Sequence, residues 1–268
     1  MKTKRVLILG GSSDIGIESI KIFLKNNWDV TAHYNKKEIN PKKLFLNNEK
    51  KFNQFKFDLK RLLDFEKYIK KNKKKFNNFD AFINLAGYLK PTSFQRFNLK
   101  DLYDHLNVNS FSSFLVSRAV IPGMEKRKWG RIVNTSSVGT KFGGGLNNFA
   151  YSLSKFNNEF FPKYYKKLYS SNITINSLQI GLTKSKLIKK LKNKNYKRRI
   201  KLIPLNRMAT TEEVANYLYF LCSEKNSLLT GTIINISGGE WYSERLKPKP
   251  DPDLQRGLGS IKYKLNKD

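Results

Sequence analysis

The sequence predicts an α/β protein: a doubly wound parallel sheet of about seven strands with helices on both faces. Three observations predict it. Short apolar runs alternate along the chain with longer amphipathic stretches, the rhythm of strand–helix–strand units. A glycine-rich turn, GGSSDIG at 10–16, separates the first apolar run from the first amphipathic stretch. At 268 residues the chain can bury a large core as one domain without staples.

The elements follow in order. RVLIL (5–9) is a short apolar run bounded by charge and glycine, hence a buried strand. IGIESIKIFLKNN (15–27) has helical spacing at Ile15, Ser19, Ile22 and Phe23 and runs out in Asn26 and Asn27. DVTAHY (29–34) is a second strand and FKFDL (55–59) a third, with a helix over 61–75 after it. DAFINLAG (80–87) is a fourth strand. Two long helices are expected over 99–125 and 149–170, on either side of the strand RIVNTSS (131–137). ITINSLQI (173–180) and TIINIS (232–237) complete the sheet. Pro162 falls inside the second long helix, where it should remove a hydrogen bond and bend the axis at about 3 kcal/mol. Residues 1–240 form the expected domain, with a basic substrate lid at 184–203. Residues 241–268 form a C-terminal extension, and Pro248, Pro250 and Pro252 favour an extended chain there.

Composition bounds the partners. Fifty-two Lys and Arg against 21 Asp and Glu give a net charge of +31. A polyanionic partner is one reading, whether nucleic acid, anionic membrane or acidic protein. General lysine richness is the other, and the spread of lysines along the whole chain favours it, so nucleic acid is set aside. The single Cys222 excludes an intramolecular disulfide and fits a reducing compartment. No apolar run reaches about 18 residues, so no spanning helix is expected. The opening MKTKRVLIL stops at Gly10, too short for a signal-peptide core. A cytoplasmic location is the expectation.

The glycine-rich turn has two readings. A strand, a glycine turn and a helix N-terminus together suit a pyrophosphate, because free N–H groups and partial positive charge converge there. Gly10, Gly11 and Gly16 let the backbone approach, with Ser12, Ser13 and Ile15 between them. The other reading is a plain turn before a capped helix, with Asp14 as the N-cap.

The stretch NTSSVGTKFGGGLNNFAYSLSK (134–155) carries chemistry. Tyr151 and Lys155 are four apart and share one helix face. An ammonium beside a phenol favours phenolate and lowers its pKa, and such a tyrosine can exchange a proton with a carbonyl or alcohol oxygen. Ser137 ends a strand, where sites open in such sheets, and its hydroxyl can bond the same oxygen.

Together these motifs resemble the short-chain dehydrogenase/reductase family over residues 4–240, and the resemblance implies a Rossmann-type fold. The family's glycine loop matches Leu9 through Gly16, and its asparagine–alanine–glycine turn matches Asn84, Leu85, Ala86 and Gly87. By the same resemblance Asp58, with Leu59 beside it, faces the adenine. Gly181 and Thr183 lie by the nicotinamide carboxamide, with Ser185 a second candidate hydroxyl. The implied catalytic set is Asn109, Ser137, Tyr151 and Lys155. Tyr151 is then the acid/base. Lys155 lowers its pKa and holds the nicotinamide ribose, Ser137 orients the substrate oxygen, and Asn109 holds a water in the proton relay. Leu9, Asp14, Leu85 and Ile180 depart from the family pattern.

At the end of the second strand an acid holds the ribose hydroxyl of NAD, whereas a basic residue suits the phosphate of NADP. Tyr34, Asn35, Lys36 and Lys37 stand there, so NADP(H) is expected rather than NAD(H). The segment 204–239 resembles the family's 3-oxoacyl acyl-carrier-protein reductases. That implies a 3-oxoacyl thioester substrate, and an acidic carrier protein docking on the lid and on the cations of residues 125–131. A sugar or other small alcohol or ketone is the alternative, and a non-catalytic binding protein a distant one. The family also implies a homo-oligomer, a dimer or homotetramer.

Overall fold

The computed structural model describes residues 3–42, 49–186 and 199–240. Most of the expected lid and the whole extension beyond 240 lie outside the described residues.

Seven parallel strands form one sheet in the order β3-β2-β1-β4-β5-β6-β7. They are β1 Arg5–Leu9, β2 Asp29–Tyr34, β3 Phe52–Lys56, β4 Ala81–Asn84, β5 Gly130–Ser137, β6 Ile173–Ile180 and β7 Ile233–Ile236. Alternate residues of β1 serve opposite faces, as the two-residue period of a strand requires. Val6 and Ile8 pack with Ile20, Phe23, Val30, Val214 and Leu218, while Leu7 and Leu9 pack with Phe65, Phe82, Val116, Val120 and Met124. Both faces are therefore dry, which is why the central strands read as unbroken apolar runs.

Helices α1 Asp14–Lys25 and α8 Thr211–Cys222 cover the first face. On the second lie α2 Leu62–Lys71, α3 Lys73–Asn77 and α5 Ser112–Arg127. Helix α8 begins with a full capping box: the Thr210 hydroxyl accepts from Glu213 N, and the Glu213 carboxylate accepts from Thr210 N.

Three expectations shift. The third strand lies at 52–56, three residues before the expected run, because Tyr34 of β2 pairs with Lys56. Phe57 N still bonds Tyr34 O, and the chain then turns away with Leu59 buried. The first long helix is interrupted. It runs as α4 Leu99–Leu106, a wider π-turn over Asn107–Phe111, and then α5. The second long helix stops early. α6 covers Phe149–Phe156, a single 3₁₀ turn Asn157–Glu159 follows, and Phe160 is extended at φ −85°, ψ 125°. Pro162 opens the next turn, Lys163–Tyr165, which leads into α7 Lys166–Tyr169. The expected bend is a break, because a proline drives the preceding residue out of helical geometry and itself needs no partner at a turn's start.

Candidate active site

The C-terminal ends of β1, β2, β4, β5 and β6 open on one edge of the sheet, and every sequence-predicted site residue belongs to that edge or to the helices beside it. At β1 the turn is held in three places. Gly10 adopts φ +73°, and a Cβ there would lie 2.5 Å from Leu85 O. A Cβ at Gly16 would lie 2.5 Å from Gly11 O, so the start of α1 can pack on the turn only with glycine there. The N-cap is Ser13 rather than Asp14, its hydroxyl accepting from Gly16 N at 3.1 Å. Asp14 is the first helical residue, and its carboxylate accepts from Lys186 N at 2.6 Å and pairs with Lys186 Nζ at 3.1 Å. A cation therefore balances the acid inside the glycine turn.

His33 was not anticipated. Its Nδ1 accepts from Gly10 N at 3.2 Å, which leaves Nε2 to donate to Phe57 O at 2.9 Å, while His33 O accepts from Gly11 N. Burial lowers its pKa to about 4, so the ring is a neutral strut between β3 and the glycine turn. Beyond it, Asn35 Nδ2 reaches Asp58 Oδ1 at 3.3 Å, and Lys36 and Lys37 are exposed at the end of β2. Tyr34 ends β2 half-buried, and Leu59 is buried behind Asp58.

Tyr151 and Lys155 stand one turn apart on α6, and Ser137 ends β5. The Ser137 hydroxyl bonds the Tyr151 phenol. Burial is the largest influence on Tyr151 and raises its pKa, opposed by that bond and by the positive charge of Arg199. The expected lowering by Lys155 is not what the geometry gives. Lys155 Nζ donates instead to Ala86 O and Thr135 O, each at 3.2 Å, and burial lowers its own pKa to about 8.

Asn109 projects from the π-turn and is fully engaged. Its Oδ1 accepts from Tyr88 N at 2.6 Å, and its Nδ2 donates to Tyr88 O and to Ser154 Oγ. Its carbonyl oxygen accepts from Asn84 Nδ2 at 3.1 Å and Asn158 Nδ2 at 2.8 Å, so both lone pairs are taken by protein rather than left for a water. Asn158 Nδ2 also donates to Thr135 O at 3.1 Å. Glu159 follows it and accepts from Ser136 Oγ, Thr140 Oγ1 and Gln179 Nε2, which pins the end of β5 to the end of α6. Gly181 and Thr183 leave β6 beside this group, with Thr183 Oγ1 donating to Gly181 O at 3.1 Å.

A cleft of about 390 Å³ opens in front of Tyr151. Ser137, Asn148, Tyr151, Arg199, Leu202 and Glu240 line it. The cations expected near a docking partner at 125–131 are elsewhere. They lie before β5 or at its start, whereas Ser137 is at its far end, roughly 23 Å from Gly130 at about 3.3 Å per residue. Two of them are also spent inside the fold: Arg127 pairs with Asp80 at 2.7 Å, and Arg131 is buried and donates to Asn172 O. Among the described residues no cluster of side chains fits a metal, and no helix is long and apolar enough to cross a membrane.

Comparison with known proteins finds relatives over much of the chain. A family model described as enoyl-(acyl carrier protein) reductase matches residues 10–240. The chain is 35% identical over 164 residues to the 3-oxoacyl-(acyl-carrier-protein) reductase FabG of Aquifex aeolicus, spanning 61% of this chain and 66% of that protein. It is 28% identical to a 3alpha-hydroxysteroid dehydrogenase of Mediterraneibacter gnavus over 89% of this chain and 97% of that one. The solved structure of ElxO with NADP bound superposes with a TM-score of 0.78 at 26% identity, covering 90% of this chain and all of that one.

Proposed function

The chain belongs to the short-chain dehydrogenase/reductase family, and from that premise we propose that it moves a hydride between NADP(H) and a carbonyl or secondary alcohol, with a 3-oxoacyl thioester as the substrate class. The observation that carries the reaction is the meeting of Ser137 and Tyr151 at one cleft, with Lys155 buried one helical turn further along α6. The names of relatives such as the Aquifex enzyme support the substrate class.

The residues at the sheet edge fit a dinucleotide. The glycine turn admits a diphosphate, the Lys186 ion pair removes the repulsion that Asp14 would otherwise exert, and Lys36 and Lys37 suit a ribose phosphate. Asn35, Asp58 and Leu59 would flank the adenine end, and Asn84, Ala86, Gly87, Gly181 and Thr183 the nicotinamide end. A nicotinamide bound there would supply or accept the hydride. In reduction the carbonyl carbon gains the hydride, and its oxygen takes the proton of the Tyr151 hydroxyl. A phenol held above its ordinary pKa is protonated at neutral pH, as a proton donor must be. The Ser137 hydroxyl holds the same oxygen. The phenolate left behind lies one helical turn from Lys155, whose side chain donates to Ala86 O and Thr135 O.

A small polar ketone or alcohol is the second reading, favoured by the charged Arg199–Glu240 pair on the cleft wall. The chain acts as a homo-oligomer in this reading. Leu99 and Tyr103 of α4, Phe156 at the end of α6 and Phe160 in the extended stretch after it are all more than half exposed, and the two helices pack together. The deciding experiment is a panel of 3-oxoacyl thioesters, keto sugars and simple ketones with NADPH, followed by nicotinamide absorbance. Tyr151→Phe is the control, expected to lose at least about 100-fold. Turnover that survives this substitution would falsify the assignment.

A further inference from the structure

Two charged side chains stand on the cleft wall, and the hydride-transfer chemistry uses neither. Arg199 Nε donates to Glu240 Oε1 at 2.6 Å, and Arg199 Nη2 donates to Glu240 Oε2 at 3.2 Å. Glu240 is 2% exposed, whereas the Arg199 side chain keeps 41% of its surface. The acid is thus the buried base of the pair, and the guanidinium is its face toward the cleft. A guanidinium has five N–H donors, and this pairing occupies two. The positive charge of Arg199 is felt at the Tyr151 phenol, so both belong to the space a substrate fills. Around them, Gly139, Gly144 and Gly145 contribute no side chain, and Leu202 and Phe142 contribute the apolar surface.

We propose that the Arg199–Glu240 pair is the specificity element of the cleft, reading a second, uncharged oxygen one or two carbons from the carbonyl that Tyr151 and Ser137 hold. The thioester carbonyl of a 3-oxoacyl group carries such an oxygen, and so does the hydroxyl of a hydroxyketone. The inference rests on the functional reading above and narrows it. A substrate with only alkyl groups beside its carbonyl strips water from the free donors of Arg199 and returns no acceptor. A substrate with a carboxylate there meets a guanidinium whose charge Glu240 already balances, together with the repulsion of that acid. An uncharged oxygen fits both, because it accepts from the spare N–H groups without disturbing the pair.

The test measures kcat/KM with NADPH for four substrates: an acetoacetyl thioester of N-acetylcysteamine, 3-hydroxy-2-butanone, 2-pentanone and acetoacetate. The better of the first two is expected to exceed both of the others by at least about tenfold. Arg199→Met should lower that better substrate by about tenfold or more and leave 2-pentanone within about twofold. Glu240→Gln keeps the shape and unmasks the cation, so acetoacetate should rise relative to the neutral substrates. Equal losses on all four substrates in Arg199→Met, or an unchanged acetoacetate ratio in Glu240→Gln, overturns the proposal. If Arg199→Met does not fold, the Glu240→Gln ratio decides alone. Turnover that persists in Tyr151→Phe condemns the functional reading instead, whatever the ratios show.

Discussion

The side-chain amide of Asn158 donates to the carbonyl oxygen of Asn109 at 2.8 Å, tying the turn after α6 to the π-turn between α4 and α5. The same nitrogen holds Thr135 O, which Lys155 also uses. Asn158 is therefore a clamp on the π-turn and on β5 at once. Asn158→Leu removes the donor and leaves two buried carbonyls one partner short, which costs about 1–3 kcal/mol. Urea unfolding should show that loss. A variant as stable as the parent would show that the clamp bears no weight.

Lys155 carries a charge that burial opposes, with its pKa lowered to about 8. Lys155→Met removes that buried charge but also the donor to Ala86 O and Thr135 O, so stability at pH 7 should fall by no more than about 1–3 kcal/mol, while hydride transfer falls by at least about 100-fold. Thermal melts and single-turnover kinetics on one preparation check both halves. A loss of stability beyond that range would reduce Lys155 to a structural role.

The chain has two histidines, His33 and His105, and burial lowers the pKa of both from 6.5, that of His33 to about 4. Between pH 6.5 and about 4 the unfolded chain therefore binds protons that the folded one refuses. Stability rises with pH across that window and is lost as pH falls through it. For His33 the span corresponds to up to about 3 kcal/mol. Melting temperatures from pH 7 to pH 5 should fall, and His33→Gln should flatten the slope. The same slope in the variant would sink the assignment.

Lys36 stands exposed where a ribose phosphate is expected. NADPH should surpass NADH in kcat/KM, and Lys36→Glu should narrow the gap by about tenfold through charge reversal. A parent enzyme that prefers NADH ends the case for this residue.

The sheet and the reacting groups were legible because both are written locally. Stretches of five to eight residues with apolar positions among them marked β1, β2, β5 and β6 within a residue of their observed ends. Tyr151 and Lys155 are neighbours along one helix. What depended on distant partners was not legible. Ser13 and Asp14 are equally good caps by type, and only the pairing of Asp14 with Lys186, 172 positions away, decides between them. His33, Asn158, Arg199 and Glu240 belong to no short pattern, and each gains its role from a residue far along the chain. Pro162 was the one available signal for the break after α6. The interruption at Asn107 had none, since a single extra residue in a helical turn leaves the apolar spacing nearly intact.

The strand order has a consequence for synthesis. β1 is the third strand of the sheet, and one of its two neighbours, β4, is translated about 70 residues after it. No hairpin can form early, because every adjacent pair is parallel and needs a long crossover, which makes assembly slow. During that delay the nascent chain exposes backbone that neighbouring ribosomal products could join. Fifty-two cationic side chains distributed from end to end keep such half-made copies apart by mutual repulsion.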